Sequence, residues 1–362
     1  MRAAVLNHAP GELEIEDLTI DAPGPDEVLI QTSACGLCHS DLHFLEGKLP
    51  TPLPRVLGHE AAGIVQAVGS DVTEFRRGDR VVSCLSVFCG TCRECADGNT
   101  WLCERRNQMT RAADAAPRLR RGDEKVHQMG ELGGFAEEML VHRNAIVKVP
   151  DDLPLELGAL LGCAVITGVG SVINGAKVRP GSTVAVIGVG GIGLNIVQGA
   201  VLAGAERIIA VDLRDEKLAL AKTFGATDVI NGGAVDAVQA VIEMTGGGVD
   251  YAFEAIGLSA TALQAFQMIR PGRTAYLVGL PGATDTIELP GPRMLLQARG
   301  LQGLFMGSNR FKRDIPMLAN LYLQGRLKLD ELVSARLTLD QVNAGYDVMR
   351  TGVEARSVIV FS

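Results

Sequence analysis

Short apolar runs bounded by Gly and Pro dominate the first 150 residues of the chain. Residues 27–31, 63–68 and 80–83 are examples, each rich in Val or Ile and too short for a buried helix. Such runs predict the strands of a β-rich domain. From about residue 164 to about 300, β-branched runs alternate with helical patterns. Residues 183–187, 207–211, 228–230, 250–254 and 274–278 read as strands, and 192–203 and 216–224 as helices between them. That alternation predicts βαβ units on a parallel, doubly wound sheet, so the fold class is α/β. The tail from Leu304 to Ser362 returns to mixed helix and strand and ends in the strand-like residues 357–361.

The segment 104–134 is long, polar and without periodicity, and is expected to be a surface excursion near a site or a subunit contact. Inside it, residues 118–121 carry an arginine run that reads as a solvated loop. A chain of 362 residues exceeds the usual span of one core. The expected division is 1–163, 164–303 and 304–362, with the last segment completing the first domain.

Residues 1–6 form an apolar run too short for a signal segment. No apolar run of about 18 residues free of breakers is expected, and residues 184–205, the nearest, place their glycines at nucleotide-loop spacing. A net charge of −8 argues against a nucleic-acid footprint or an anionic-membrane patch. A cytoplasmic protein is expected. In that reducing compartment the eight cysteines read first as metal ligands or free thiols.

Cys89, Cys92, Cys95 and Cys103 form C-x2-C-x2-C-x7-C. Four thiolates on one short loop suit a closed tetrahedral zinc site, with free thiols or an iron–sulfur cluster as the alternatives on spacing alone. Four cysteines leave no position for water, so a zinc here is structural. A second set, Cys38, the pair His59-Glu60, and Cys163, is dispersed along the chain, and spacing alone does not join it. Cys163 by itself, in an apolar run, reads as a core thiol, as do Cys35 and Cys84. Gly188-Val189-Gly190-Gly191-Ile192-Gly193 fits G-x-G-x-x-G between a predicted strand and an apolar helix, the context that a dinucleotide loop requires. Asp212 ends the next strand, where an acid binds ribose hydroxyls and repels a 2′-phosphate, so NAD is expected over NADP.

Taken together, these residues resemble the zinc-containing alcohol dehydrogenases of the medium-chain dehydrogenase/reductase superfamily, from Met1 to Ser362. Gly58-His59-Glu60-Ala61-Ala62-Gly63, with Gly69 and Val72, is similar to the family's zinc signature. The resemblance implies a GroES-like catalytic domain, completed by the C-terminus, and a Rossmann domain. It implies a catalytic zinc on Cys38, His59 and Cys163, with Glu60 able to exchange as a ligand, and the structural zinc on the four-cysteine loop. Two thiolates and one imidazole leave a fourth position open, the ligand set of this family. Asp41 would fix the His59 tautomer. Ser40 would bind the alcohol hydroxyl and pass its proton through the NAD ribose to His43. His39 and Arg356 would lie near the pyrophosphate, Thr167 and Ile192 beside the nicotinamide. Lys217, Ile256, Val278 and Leu280 would complete the nucleotide contacts. Leu85, Leu280 and Leu304 would line an apolar substrate pocket.

The expected activity is reversible oxidation of a primary or secondary alcohol, medium-chain or aromatic, to an aldehyde or ketone, with NAD and two zinc ions per subunit. Polyol dehydrogenases carry Glu where Cys163 stands. Glutathione-dependent formaldehyde dehydrogenases carry an acidic pair that residues 47–51 lack. A thiol-adduct dehydrogenase remains the first alternative, and a non-catalytic zinc- and NAD-binding redox sensor the second. The long loop after Cys103 resembles the dimeric branch, so a homodimer is expected, with a tetramer as the alternative.

Overall fold

The strand Glu27–Gly36, twice the length of the run that announces it, organises the first half of the fold in this computed structural model. It pairs antiparallel with Glu60–Val68 along one edge. Its other edge is shared by Glu138–His142 and by Arg356–Val360, where Val358 faces Gly36. The end of the chain is thus woven into the same sheet as its beginning. Residues 1–112, 114–352 and 355–361 are described. They divide into two units, Met1–Ala164 with Asn309–Ser362, and Val165–Ser308. Residues 304–308, expected with the C-terminal segment, cluster with the second unit. There the Leu304 amide donates to Leu277 O at 2.9 Å, extending the ladder of the last parallel strands.

The first unit holds two mixed sheets over one apolar core. Phe135 and Tyr346, both fully buried, meet edge to face at 6.3 Å. Such a pair adds about 0.5–1.5 kcal/mol beyond burial alone. In the second unit a parallel sheet runs in the order Asp228–Asn231, Arg207–Asp212, Thr183–Ile187, Val249–Glu254, Ile269–Leu277, Gly300–Gly303. Ala185, Ile209, Ala252 and Ala275 form its fully buried centre, as expected for a sheet covered on both faces.

Two expectations need correction. The segment 104–134 is not structureless. It contains the antiparallel strands Leu119–Arg121 and Glu124–Gln128, and its Arg111, Arg118 and Arg121 are paired with carboxylates. Arg118, 6% exposed, donates Nε to Glu27 Oε1 at 2.7 Å, and Arg111 Nη2 donates to Glu27 Oε2 at 2.6 Å. A polar segment hides its periodicity when its charges are satisfied inside the fold. The second correction concerns the apolar run. Residues Leu155–Gly175 form one continuous helix long and apolar enough to cross a membrane, and 89% of its apolar window is buried inside the fold. Its glycines conceal it in the sequence because Gly usually breaks helices, yet here they let it pack tightly as a core helix.

Candidate metal centres and nucleotide loop

Cys38 closes the loop before the short helix His39–Leu45, whose first turn turns back on the Cys38 carbonyl through the amides of Asp41 and Leu42. That turn directs Asp41, fully buried, toward the start of the strand Glu60–Val68. Asp41 Oδ1 accepts the Gly58 amide at 2.9 Å, and Nδ1 of His59 lies 3.4 Å from the same oxygen. The imidazole is completely buried, and its Nε2 has no protein partner. Cys163 arrives from a different element, the π turn Leu161–Val165 inside the long helix. π turns are rare and concentrate at functional positions. A Cβ on the preceding Gly162 would lie 2.2 Å from Ser83 O, so only glycine lets the helix approach the strand closely enough to deliver Cys163.

The ligand atoms of Cys38, His59, Glu60 and Cys163 all lie within 4.8 Å of one another. Both Glu60 carboxylate oxygens lack a hydrogen bond, and burial pushes this carboxyl up to about 8 against the pull of Arg356. The Cys38 thiol is held well below its ordinary range by hydrogen bonding with Cys163, outweighing burial, with help from Arg356 and His59. A buried imidazole nitrogen without a partner, beside two sulfurs, is costly unless a cation completes it. The donor set, two sulfurs and one nitrogen with a carboxylate in reserve, fits zinc.

The second cluster lies on one loop, as its spacing predicts. Cys89 Sγ is 4.0 Å from Cys95 Sγ, and Cys92 Sγ is 3.9 Å from Cys103 Sγ. Zinc–sulfur bonds of about 2.3 Å give a tetrahedron with edges of about 3.8 Å, close to these two distances, and all four sulfurs lie within 4.8 Å of one another. The amides of Thr91 and Cys92 point at Cys89 Sγ, at 3.4 and 3.3 Å. Burial opposes ionisation there, but these donors bring the Cys89 thiol down to about 6. Burial and the bond to Cys92 push Cys95 up to about 12. Neighbouring thiolates repel each other, and a divalent cation is what lets all four ionise together. Cys35 and Cys84 are buried core thiols, as expected.

The glycine loop follows the strand Thr183–Ile187 and opens the helix Gly191–Leu202. Its glycines differ in purpose. Gly188 takes φ +85°, and a Cβ on Gly193 would lie 1.9 Å from Gly188 O. A Cβ on Gly190 would meet nothing, so that side of the loop is open for a phosphate to approach the helix N-terminus. Asp212 ends its strand and accepts the Val189 amide at 3.0 Å, which ties the acid to the loop.

Other expected residues fall as follows. His39 is exposed, Ser40 and His43 are half-buried, and Thr167 donates its hydroxyl to Met306 Sδ at 3.7 Å. Ile192 and Lys217 are half-buried, Val278 is buried, and Ile256 and Leu280 are exposed. Arg356, expected at the pyrophosphate, is 4% exposed; it donates Nη1 to Leu37 O at 3.0 Å and brings Nη2 to 3.5 Å from Glu60. Leu85 is half-buried, while Leu304 is buried and packs over Gly175. Glu254, fully buried at the end of a parallel strand, is not among the residues that the sequence singles out. The available signal was a carboxylate at the closing position of the strand Val249–Glu254, whose other acid, Asp250, stands near its start.

Residues 24–151 match the family Alcohol dehydrogenase GroES-like domain, and residues 191–320 match the family Zinc-binding dehydrogenase. The chain is 41% identical to an NDMA-dependent alcohol dehydrogenase of Amycolatopsis methanolica, over 100% of this chain and 99% of that protein. The structure of benzyl alcohol dehydrogenase from Acinetobacter calcoaceticus superposes with a TM-score of 0.94 at 35% identity, covering 100% of this chain and 99% of that one. A zinc-binding dehydrogenase from Sinorhizobium meliloti 1021, bound to NADP, gives 0.83 at 29% identity over 99% of each chain. With two metal-ligand clusters and a glycine loop in place, the chain belongs to the zinc-binding alcohol dehydrogenase family.

Proposed function

We propose that the protein oxidises a small primary or secondary alcohol to an aldehyde or ketone, with NAD as hydride acceptor and a zinc held by Cys38, His59 and Cys163. The observation that carries this reading is His59: buried, with Nδ1 against Asp41 and Nε2 unpartnered beside Cys38 and Cys163. Zinc, when bound, supplies Lewis acidity that lowers the pKa of an alcohol hydroxyl. NAD supplies the hydride acceptor.

The rest is done by side chains of this protein. Asp41 fixes the tautomer and orientation of His59. Ser40 and His43 lie three residues apart on the helix His39–Leu45, hence on one face of it, where a hydroxyl can start and an imidazole can end a path for the proton. Cys89, Cys92, Cys95 and Cys103 hold a second, structural zinc. Glu60 stands in reserve as a carboxylate that Arg356 steadies. The eight cysteines are unpaired in the fold, which suits a reducing cytoplasm.

Asp212 supports NAD over NADP, because its carboxylate repels a 2′-phosphate. The experiment is an absorbance screen of short, branched, long and aromatic alcohols with NAD and with NADP. NDMA is added as a third acceptor, in view of the Amycolatopsis relative's name. NAD reduction by the wild type, and a shift toward NADP in Asp212→Gly, is the expected pair of results. A wild type that prefers NADP overturns the cofactor assignment, and no turnover with any acceptor overturns the activity.

A further inference from the structure

We propose that Glu254 is a positioning residue for the dinucleotide: its buried carboxylate fixes the 256–257 turn, against which the other turns that shape the nucleotide crevice pack. The proposal rests on the NAD reading above. The parallel sheet reverses its strand order at one place. From Thr183–Ile187 the chain steps outward to Arg207–Asp212 and Asp228–Asn231, then returns to lay Val249–Glu254 on the other side of the first strand. In doubly wound sheets the crevice beyond the carboxyl ends of the strands at such a reversal is where ligands bind. Glu254 is the last residue of that returning strand, directly across from Ile187 in register.

Its side chain holds the turn after its own strand, and the backbone of residues 254–255 ties that turn to two neighbouring strands. Oε1 accepts the amides of Ile256 and Gly257, each at 2.8 Å, and the Thr261 hydroxyl at 2.8 Å. Its backbone carbonyl accepts the amides of Val278 at 2.8 Å and Gly279 at 3.0 Å. The next residue, Ala255, donates to Ile187 O at 2.9 Å, immediately before the glycine loop.

These turns have no slack between them. A Cβ on Gly188 would lie 2.3 Å from Ile256 Cγ1, one on Gly257 2.4 Å from Leu280 O, and one on Gly279 2.1 Å from Gly257 N. A shift of the 256–257 turn therefore moves both the glycine loop and the 278–280 turn. Glu254 determines where that turn sits, and a carboxylate oxygen accepting several bonds is a stiff anchor. Oε2 is buried and has no partner. The acceptor at the Oε1 position is thus what holds the turn, and the second oxygen contributes no bond.

The test uses three substitutions in the full-length, zinc-loaded protein, and reads NADH binding by fluorescence titration without turnover. Glu254→Gln keeps an acceptor oxygen at the Oε1 position and should leave the Kd within about threefold of wild type, since no turn moves. Glu254→Asp keeps the charge but withdraws the oxygen by one methylene, and Glu254→Ala removes it. Both should raise the Kd roughly tenfold or more, since small displacements of a binding turn are costly. KM for NAD should rise with them, by a larger factor than any fall in kcat at saturating NAD. Zinc content, held by ligands in the other unit, serves as the control for folding. Should Glu254→Ala not fold, Thr261→Val removes one bond to Oε1 and should raise the Kd by a smaller factor, about twofold to fivefold. Glu254→Asp binding NADH as tightly as wild type, or Glu254→Gln losing as much as Glu254→Ala, overturns the proposal. A wild type that fails to bind NADH overturns the NAD reading beneath it, a result distinct from variants that bind as wild type does.

Discussion

Asp41 faces the ring nitrogen Nδ1 of His59 with both carboxylate oxygens, at 3.4 and 3.3 Å, and neither residue is exposed. A carboxylate in that position keeps the proton on Nδ1 and leaves Nε2 as a donor to a metal. Asp41→Asn removes the charge and presents an amide that can donate as readily as accept. Orienting partners of this kind are worth about 10–100-fold in metal affinity. Dialysis against a graded chelator should therefore strip one zinc from Asp41→Asn at lower chelator activity than from wild type. The second zinc, on the four-cysteine loop, should be retained equally in both. Equal retention of both ions would mean that Asp41 does not tune the site.

Cys92→Ser addresses the other cluster. Cys92 is buried and its sulfur stands 3.9 Å from Cys103 Sγ, at the spacing of a tetrahedral edge. Structural zinc contributes folding free energy directly, on the order of several kcal/mol even when discounted from peptide values. The variant should lose one zinc per chain and unfold several degrees lower. Metal analysis of the wild type that finds a single zinc per chain would sink the two-site assignment.

Glu27 and its two arginines carry a pH-dependent share of stability. Burial pushes the Glu27 carboxyl up, but hydrogen bonds and charge from Arg111 and Arg118 outweigh it, so its pKa lies below the ordinary 4.5. A depressed carboxylate contributes stability in full above its unfolded pKa and loses it as pH falls through the folded value. Glu27→Gln leaves Arg118, 5% exposed, without its main counter-charge. Removing one partner of a buried pair costs about 3–5 kcal/mol. Urea unfolding should show that gap at pH 7, and the gap should close as pH falls through the lowered pKa of the wild-type carboxyl. A gap independent of pH would assign the effect to packing.

What could be read from the residues follows from how local each signal is. The parallel strands and the glycine loop declare themselves over a handful of neighbours. Strand 183–187 and the helix opened by Gly191 stand where the apolar pattern puts them, within a residue. The four-cysteine loop is local too, and its sulfurs meet. The dispersed cluster is not: Cys38, His59 and Cys163 come together only because Gly162 lets a helix press on the strand Arg80–Ser83. No spacing encodes that approach, and only likeness to a family suggested it. Arg118 misleads for a related reason, since its partner Glu27 lies 91 residues away. Glu254 is silent because two of its partners are backbone amides, which leave no mark in the sequence, and the third is a single hydroxyl, Thr261, seven residues on.

His43 sets the last prediction, because its environment fixes the direction of a pH profile. Nδ1 is buried without a partner. Burial first, and then the nearby Lys48, hold its pKa below the usual 6.5, against a smaller pull from Glu46. If His43 ends the proton path, its basic form is the active one, and a lowered pKa keeps that form dominant at mildly acidic pH. Wild-type alcohol oxidation should therefore hold as pH falls to 6.5 and decline only below it. Lys48→Gln removes a charge that disfavours the imidazolium, so the acid limb should move to higher pH. His43→Gln keeps the size but not the base, and oxidation at pH 7 should slow roughly tenfold or more. Imidazole buffers should restore part of the rate, as should high pH, where hydroxide replaces the missing base. A deuterated alcohol separates the proton step from hydride transfer: the isotope effect should shrink in His43→Gln as proton release becomes limiting. Zinc content should not change, since His43 is not a ligand. A His43→Gln protein that loses zinc, or a rate unchanged at every pH, removes His43 from the path.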